Sequence, residues 1–293
     1  MSSLKNVRSE AVLLITALIW GLAFAAQRIG MDYMGPFTFN GIRFGLGSLV
    51  LVPVLLWRSR KGLQTSTAAP SDSVKAGILA GLVLFLGASL QQIGLLTTTA
   101  GKAGFITGLY VILVPILGLF WGQRTHRSTW LGAAVAVVGL YFLSVRGDFD
   151  IVKGDIYVLL GAFCWAGHVQ IIDRYASRVG ALRLALIQFA VTSALSFLSA
   201  WPLEDWNPEA WSGAWIAVLY AGILSVGIGY TLQVIAQKKV HPARAAIILS
   251  LESVFAVMGG WFFLRETLSP RGIFGAALIL VGTWFSLSGR KER

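Results

Sequence analysis

The chain has 293 residues, 56% hydrophobic and only 13% charged, with a mean hydropathy of +0.73. Soluble domains carry roughly 25% charged residues, so the composition excludes a soluble globular domain and defines an integral membrane protein. The net charge of +11 and pI near 10.2 would point to nucleic acid in a soluble protein, but here Lys and Arg sit in short loops between apolar runs, where they set topology and imply no nucleic-acid partner.

Ten apolar runs have the length of roughly 17–25 residues that spans a bilayer. They cover residues 10–29, 36–57, 75–97, 102–121, 128–145, 154–173, 181–200, 213–233, 243–264 and 270–288. The first follows Lys5 and Arg8 and contains Ala23-Phe24-Ala25. It is read as a membrane span and not as a cleaved signal peptide, because it is long for a signal core and has an internal counterpart in the sixth run. The longest connection, residues 58–74, is rich in Ser, Thr, Ala and Pro and reads as a flexible connector. Residues 201–215 carry Trp201, Trp206, Trp211 and Trp215, the pattern of an interfacial aromatic belt. No loop is long enough for a soluble domain, so function is expected within the membrane.

Orientation follows from the basic residues. With the N-terminus in the cytoplasm, seventeen of the 24 Lys and Arg fall on the inner side and six on the outer side, leaving Arg43 within the second run. That bias predicts both termini inside. The single cysteine, Cys164, lies in an apolar segment, which excludes an intramolecular disulfide. No His/Cys cluster calls for a metal, and no cofactor is expected.

Sliding the chain on itself by 143 residues aligns Gly132-Ala133-Ala134, Val138-Gly139 and Phe142 with Gly275-Ala276-Ala277, Val281-Gly282 and Phe285. At an offset of 145, Trp20 falls on Trp165. The chain is therefore expected to hold two five-helix repeats, residues 1–146 and 147–293, in one membrane domain. Five spans is an odd number, so the second repeat enters the membrane from the opposite side. Inverted repeats are a recurring device of secondary transporters, with substrate held near the midplane and access alternating as the halves rock. Small residues at four-residue spacing, Gly41 and Gly45, Gly77 and Gly81, Gly104 and Gly108, Gly118 and Gly122, are expected to let helices pack closely.

Three stretches carry a family resemblance: Ala17-Leu18-Ile19-Trp20-Gly21 with Phe24, Gly101-Lys102-Ala103-Gly104-Phe105-Ile106-Thr107 leading to Pro115, and Leu249-Ser250-Leu251-Glu252-Ser253-Val254-Phe255-Ala256 leading to Arg265-Glu266. They resemble the EamA family of the drug/metabolite transporter superfamily, over nearly the whole chain. The resemblance implies ten helices as two inverted five-helix repeats and commonly export of amino acids or other small metabolites across the bacterial inner membrane. It also implies a cavity lined by the first, third, fourth, sixth, eighth and ninth helices. The family often has Glu-Pro where this chain has Glu252-Ser253, and Glu where it has Gln123; the first departure is expected to straighten the ninth helix.

Glu252 is the foremost candidate. It lies about ten residues, roughly 15 Å, from the start of its helix and so near the midplane, where a charge is costly and normally functional. It reads either as a cation-binding or proton-carrying carboxylate or as a helix–helix contact. Arg43 could neutralise Glu252, hold a substrate carboxylate with its planar fork, or snorkel to the interface. His168, with Gln170 beyond it, could bind substrate or serve as a bundle hydrogen bond. Gln91, Gln92, Tyr110, Tyr230 and Gln233 offer uncharged polar groups, and Trp20, Phe24 and Trp165 offer aromatic faces; together they suit an amphiphilic organic solute better than an inorganic ion. Lys102 reads as a snorkelling residue, with a gate as the alternative.

No phosphate-binding Gly-x-x-x-x-Gly-Lys-[Ser/Thr] motif occurs, nor an Asp-rich diphosphate, HExxH or Gly-x-Ser-x-Gly motif. The reading is a non-enzymatic secondary transporter in which one protomer suffices to enclose a cavity and the surrounding partner is membrane lipid. A membrane enzyme acting on a lipid or isoprenoid and a solute channel are the alternatives.

Overall fold

In lipid only a helix satisfies its own backbone N–H and C=O groups within one segment. The computed structural model describes residues 2–62, 69–144, 151–265, 267 and 269–288, and among them every regular element is helical. The ten main helices are α1 (Ser2–Gly30), α2 (Pro36–Arg60), α3 (Pro70–Gly94), α4 (Ala100–Phe120), α5 (Arg127–Ser144), α6 (Lys153–Val179), α7 (Ala181–Leu203), α8 (Ser212–Gln237), α9 (Pro242–Leu264) and α10 (Pro270–Ser288). Nine of them are long and apolar enough to cross a bilayer, and α5 is a shorter apolar helix. Residues 145–150, which include Arg146, Asp148, Asp150 and the expected 146/147 junction, lie outside the described residues. So do Glu266, Arg290, Lys291 and Arg293.

The expected spans correspond one to one with these helices, but their ends differ. α1 begins well before residue 10, and α6 runs past residue 173 to Val179. Hydropathy marks only the lipid-facing part of a helix, while backbone hydrogen bonding continues into polar turns. Prolines start four helices, Pro36, Pro70, Pro242 and Pro270, where the missing N–H is an orphan in any case.

The bundle is apolar outside as well as inside. Phe120, Leu198 and Phe262 are 70% or more exposed, the arrangement of a surface solvated by acyl chains. Trp201, Trp206 and Trp211 form a chain of ring contacts at 6.0 and 5.7 Å leading into α8, with Trp201 and Trp206 exposed as a belt requires.

The two halves pack as an inverted pair. α5 lies along α10, α2 along α7, and α4 along α9; α3 packs on α6 and α7 as α8 packs on α1 and α2. Exchanging each helix for its counterpart five places on reproduces this list. Glycine makes the α5–α10 contact possible: a Cβ on Gly132 would stand 2.5 Å from Gly282 O, and one on Gly275 2.5 Å from Gly139 O. Gly77 and Gly81 meet Ile187 and Val191 of α7, and Gly104 meets Ala256 of α9, as small-residue spacing predicts. Gly122 does not fit that expectation. Its φ of +71° places it in the turn after α4, with nothing near a would-be Cβ.

Two helices are interrupted at equivalent places. α4 is split at Leu109 between Ala100–Gly108 and Tyr110–Phe120, and α9 at Ser250 and Leu251 between Pro242–Leu249 and Glu252–Leu264. In both, φ near −60° and ψ near −15° tighten one turn toward 3₁₀ geometry. The expected straight ninth helix is therefore corrected: it breaks without a proline, with Ser250 Oγ donating to Ile247 O at 2.8 Å. α8 adds an eleven-residue π-helical stretch, Tyr220–Tyr230, holding Gly222, Gly227 and Gly229.

Candidate functional site

The two tight turns and the π-helical stretch converge on one internal cavity. Its lining comes from Trp20, Phe24 and Gln27 of α1, Arg43 of α2, Gln91 of α3, Thr107 and Tyr110 of α4, Trp165, His168 and Val169 of α6, Ser225, Tyr230 and Gln233 of α8, and Leu249 and Glu252 of α9. The space open to the centres of water molecules is about 40 Å³, against roughly 10–15 Å³ for one water. That space is small, and a solute of several heavy atoms needs helices or side chains to move apart.

Aromatic rings form its wall, with Tyr230 at their centre. Its ring lies 4.5 Å from that of Trp20, 6.2 Å from Trp165, 6.1 Å from His168 and Phe44, and 6.0 Å from Phe189. Trp20 Nε1 donates to Ser225 O at 3.2 Å, a link between α1 and the π-helical segment. Gly229 allows it: a Cβ there would stand 2.7 Å from Trp20 Nε1.

Gln91 ties the wall to its polar end. Its Oε1 accepts from Trp165 Nε1 at 3.1 Å and Thr107 Oγ1 at 3.3 Å, and its Nε2 donates to Gln27 Oε1 at 3.0 Å. Gln92, the next residue, turns away from the cavity and donates to Gln27 O at 3.1 Å. Successive helical residues point about 100° apart, so only one of the two can face the same space. His168 lines the cavity with its ring tethered, Nε2 lying 2.9 Å from Gln188 Oε1 of α7. Gln170 instead pairs with Gln123 at 2.8 Å and donates to Val114 O, tying α6 to α4.

The charged groups are the unusual part. Arg43 is fully buried, its Nε donating to Asn40 Oδ1 at 2.9 Å and its guanidinium 4.9 Å from the ring centre of Phe44 and 5.6 Å from that of Phe39. It forms no ion pair among the described residues, and its Nη2 has no hydrogen-bond partner. Glu252 is equally buried, and its Oε1 also lacks a partner. The Tyr110 hydroxyl comes near the Glu252 carboxylate, but Tyr110 Oη does not complete a hydrogen bond to it. Arg43 and Glu252 therefore do not neutralise each other. An unmade hydrogen bond on a buried polar atom costs about 1–3 kcal/mol and more for a charged one, and both residues line the same cavity, which makes them the candidates for a functional role there.

Nine of the ten residues expected to bind substrate thus line one cavity, and Gln92 does not. Gln27, Thr107, Ser225, Val169 and Leu249 line it without having been singled out. Gln27 lay one helical turn beyond Phe24 on the same face, a signal available in the spacing. Ser225 reaches the cavity through the π-helical stretch, which apolar patterning does not announce.

A bundle of ten apolar helices, split into inverted halves around a polar-tipped internal cavity, defines a polytopic transporter fold. The sequence model of the EamA-like transporter family matches residues 8–145 and 152–288, and the chain belongs to that family. It is similar to an uncharacterized transporter of Archaeoglobus fulgidus, 34% identical over 281 residues covering 94% of this chain and 85% of that one. At 24% identity, over 96% of this chain and 95% of the relative, it is similar to a Salmonella typhimurium protein named "probable amino-acid metabolite efflux pump". A solved crystal structure shares the fold with a TM-score of 0.76 at 21% identity, covering 97% of this chain and 99% of that one. This is a multi-pass membrane transporter.

Proposed function

We propose that the protein exports small amphiphilic organic solutes, amino acids or related metabolites, across the bacterial inner membrane by alternating access, with both termini in the cytoplasm. One observation carries the reading: a single buried cavity presents an unpartnered guanidinium nitrogen of Arg43 and an unpartnered carboxylate oxygen of Glu252, with aromatic faces between. Arg43 is the group for a solute carboxylate, Glu252 and Tyr110 the groups for an ammonium, and Trp20, Trp165 and Tyr230 the surface for an apolar side chain. The name of the Salmonella relative supports the same substrate class.

Glu252 is also the proposed proton carrier, since it is a buried carboxylate on the cavity lining within a membrane-spanning helix. The enzyme reading places the same groups in acid–base roles on a lipid. Purified protein incubated with labelled solutes in sealed vesicles separates the readings. Recovery of unchanged solute inside the vesicles supports a transporter; a chemically altered product means an enzyme, and flux that never saturates means a channel.

A further inference from the structure

Two salt bridges lie beyond the cavity lining, toward opposite ends of the bundle, and they occupy equivalent registers. Toward one end, Lys102 Nζ of α4 lies 2.5 Å from Asp155 Oδ2 of α6. Toward the other, Arg244 Nη1 of α9 lies 3.4 Å from Glu10 Oε1 of α1. Lys102 and Arg244 are each the third residue of their helix and stand 142 residues apart, while Glu10 and Asp155 stand 145 apart. The second is the offset at which Trp20 falls on Trp165, and the first is that of the two tight turns at Leu109 and Leu251. Each bridge therefore joins the fourth helix of one half to the first helix of the other.

Both bridges keep the same distance from the site. Lys102 precedes Tyr110 by eight residues and Arg244 precedes Glu252 by eight, about 12 Å along each helix. In each case a tight turn separates the segment bearing the cation, which also carries Thr107 or Leu249 of the lining, from the segment bearing Tyr110 or Glu252, so the first can swing relative to the second. Each bridge also has an anchor on one side. Asp155 accepts from Thr98 Oγ1 at 2.8 Å and from Val152 N at 3.0 Å, and Arg244 Nη2 donates to Leu287 O of α10. Lys102 is about a third exposed and the other three side chains less so, so the pairs stand at the edge of the solvent-screened range where ion pairs are weak, which suits a contact that must break and re-form in every cycle.

We propose that Lys102–Asp155 and Glu10–Arg244 are the two gates of the transport cycle: opening one while the other holds exposes the cavity to one face of the membrane at a time. Both bridges are formed in the structure, in keeping with the small space between them. The proposal rests on the transporter reading, and its test is independent of any transported solute.

In a Cys164→Ala background, Ser225→Cys places a thiol on the cavity wall, and a membrane-impermeant thiol reagent is applied to one face of vesicles of known orientation. Lys102→Gln, which leaves the other bonds of Asp155 in place, is expected to raise labelling from the Asp155 face on the order of tenfold and to lower it from the opposite face. Glu10→Gln is expected to do the reverse. The swap Lys102→Asp with Asp155→Lys restores the parent pattern, which separates gating from general loosening. Equal labelling changes from both faces, or none in either variant with the melting temperature preserved, would overturn the proposal. Alternating labelling in a protein that moves no solute would leave the gates standing and remove the transport reading; saturable transport without alternating labelling would do the opposite.

Discussion

Tyr110 and Glu252 hold equivalent places in the two halves of the chain and meet across the cavity. Each is the first residue of the second segment of an interrupted helix, and they are 142 residues apart. An inverted duplication thus presents one register twice to one space, as a neutral hydroxyl from one half and a carboxylate from the other. That difference breaks the symmetry of the cavity, in keeping with the proposed solute with two unlike ends.

If Glu252 carries the proton, Glu252→Gln should keep solute exchange while losing uphill accumulation, and the remaining exchange should depend little on pH. Uphill transport and counterflow measured across a pH series decide it. Full uphill transport with the parent pH dependence would remove the carboxylate from coupling.

Arg43→Met tests the carboxylate subsite. A hydrogen bond to a charged group is worth about 1.5–3 kcal/mol, so half-saturation for carboxylate-bearing solutes should rise roughly 10- to 100-fold, with amines lacking a carboxylate unaffected. Stability should fall by about 1–3 kcal/mol, because the Asn40 Oδ1 acceptor is left buried without its donor, but no second charge is stranded. Equal losses for both solute classes would reassign Arg43 to a structural role.

Glu204 closes one end of the bundle in a different way. Its carboxylate accepts from Phe37 N at 2.6 Å and Thr38 N at 2.8 Å, so the end of α7 caps the positive N-terminus of α2. Gly35 gives it room, since a Cβ there would stand 2.2 Å from the Glu204 carboxyl carbon. Glu204→Ala should cost about 1 kcal/mol, and Gly35→Ala at least as much; both are read from thermal unfolding in detergent.

The α5–α10 contact predicts a sharper loss. In Gly275→Leu the new side chain meets Leu143 N at 2.3 Å and Gly139 O at 2.5 Å, backbone that cannot rotate away. Overpacking of this kind costs about 1–3 kcal/mol. Gly167→Ala, whose nearest neighbour is 3.9 Å away, should be neutral in the same thermal assay.

Sequence reasoning reached the helices because lipid enforces them: apolar length sets the spans, and small residues marked close-packing positions such as Gly77 and Gly81, without saying which helices would meet there. It reached Arg43 and Glu252 because a charge in an apolar run is conspicuous by itself. It did not reach the break in α9, which here comes from a tight turn at Ser250 and not from proline. Nor did it reach the π-helical stretch that delivers Ser225, or the choice of Gln91 over Gln92. Those depend on a few degrees of backbone rotation, which composition does not encode. The Glu10–Arg244 and Lys102–Asp155 bridges were not read from the sequence either; Lys102 was read as a snorkelling residue or a gate without a partner.

Counterflow in liposomes preloaded with a panel of amino acids and related metabolites tests the central claim most directly. Purified protein should accelerate the exchange of a trace labelled solute bearing both an ammonium and a carboxylate, saturably, and Arg43→Met should weaken that exchange. Silence across the panel by protein that remains folded, or exchange indifferent to Arg43 and Glu252, would contradict the assignment of this cavity as the solute site.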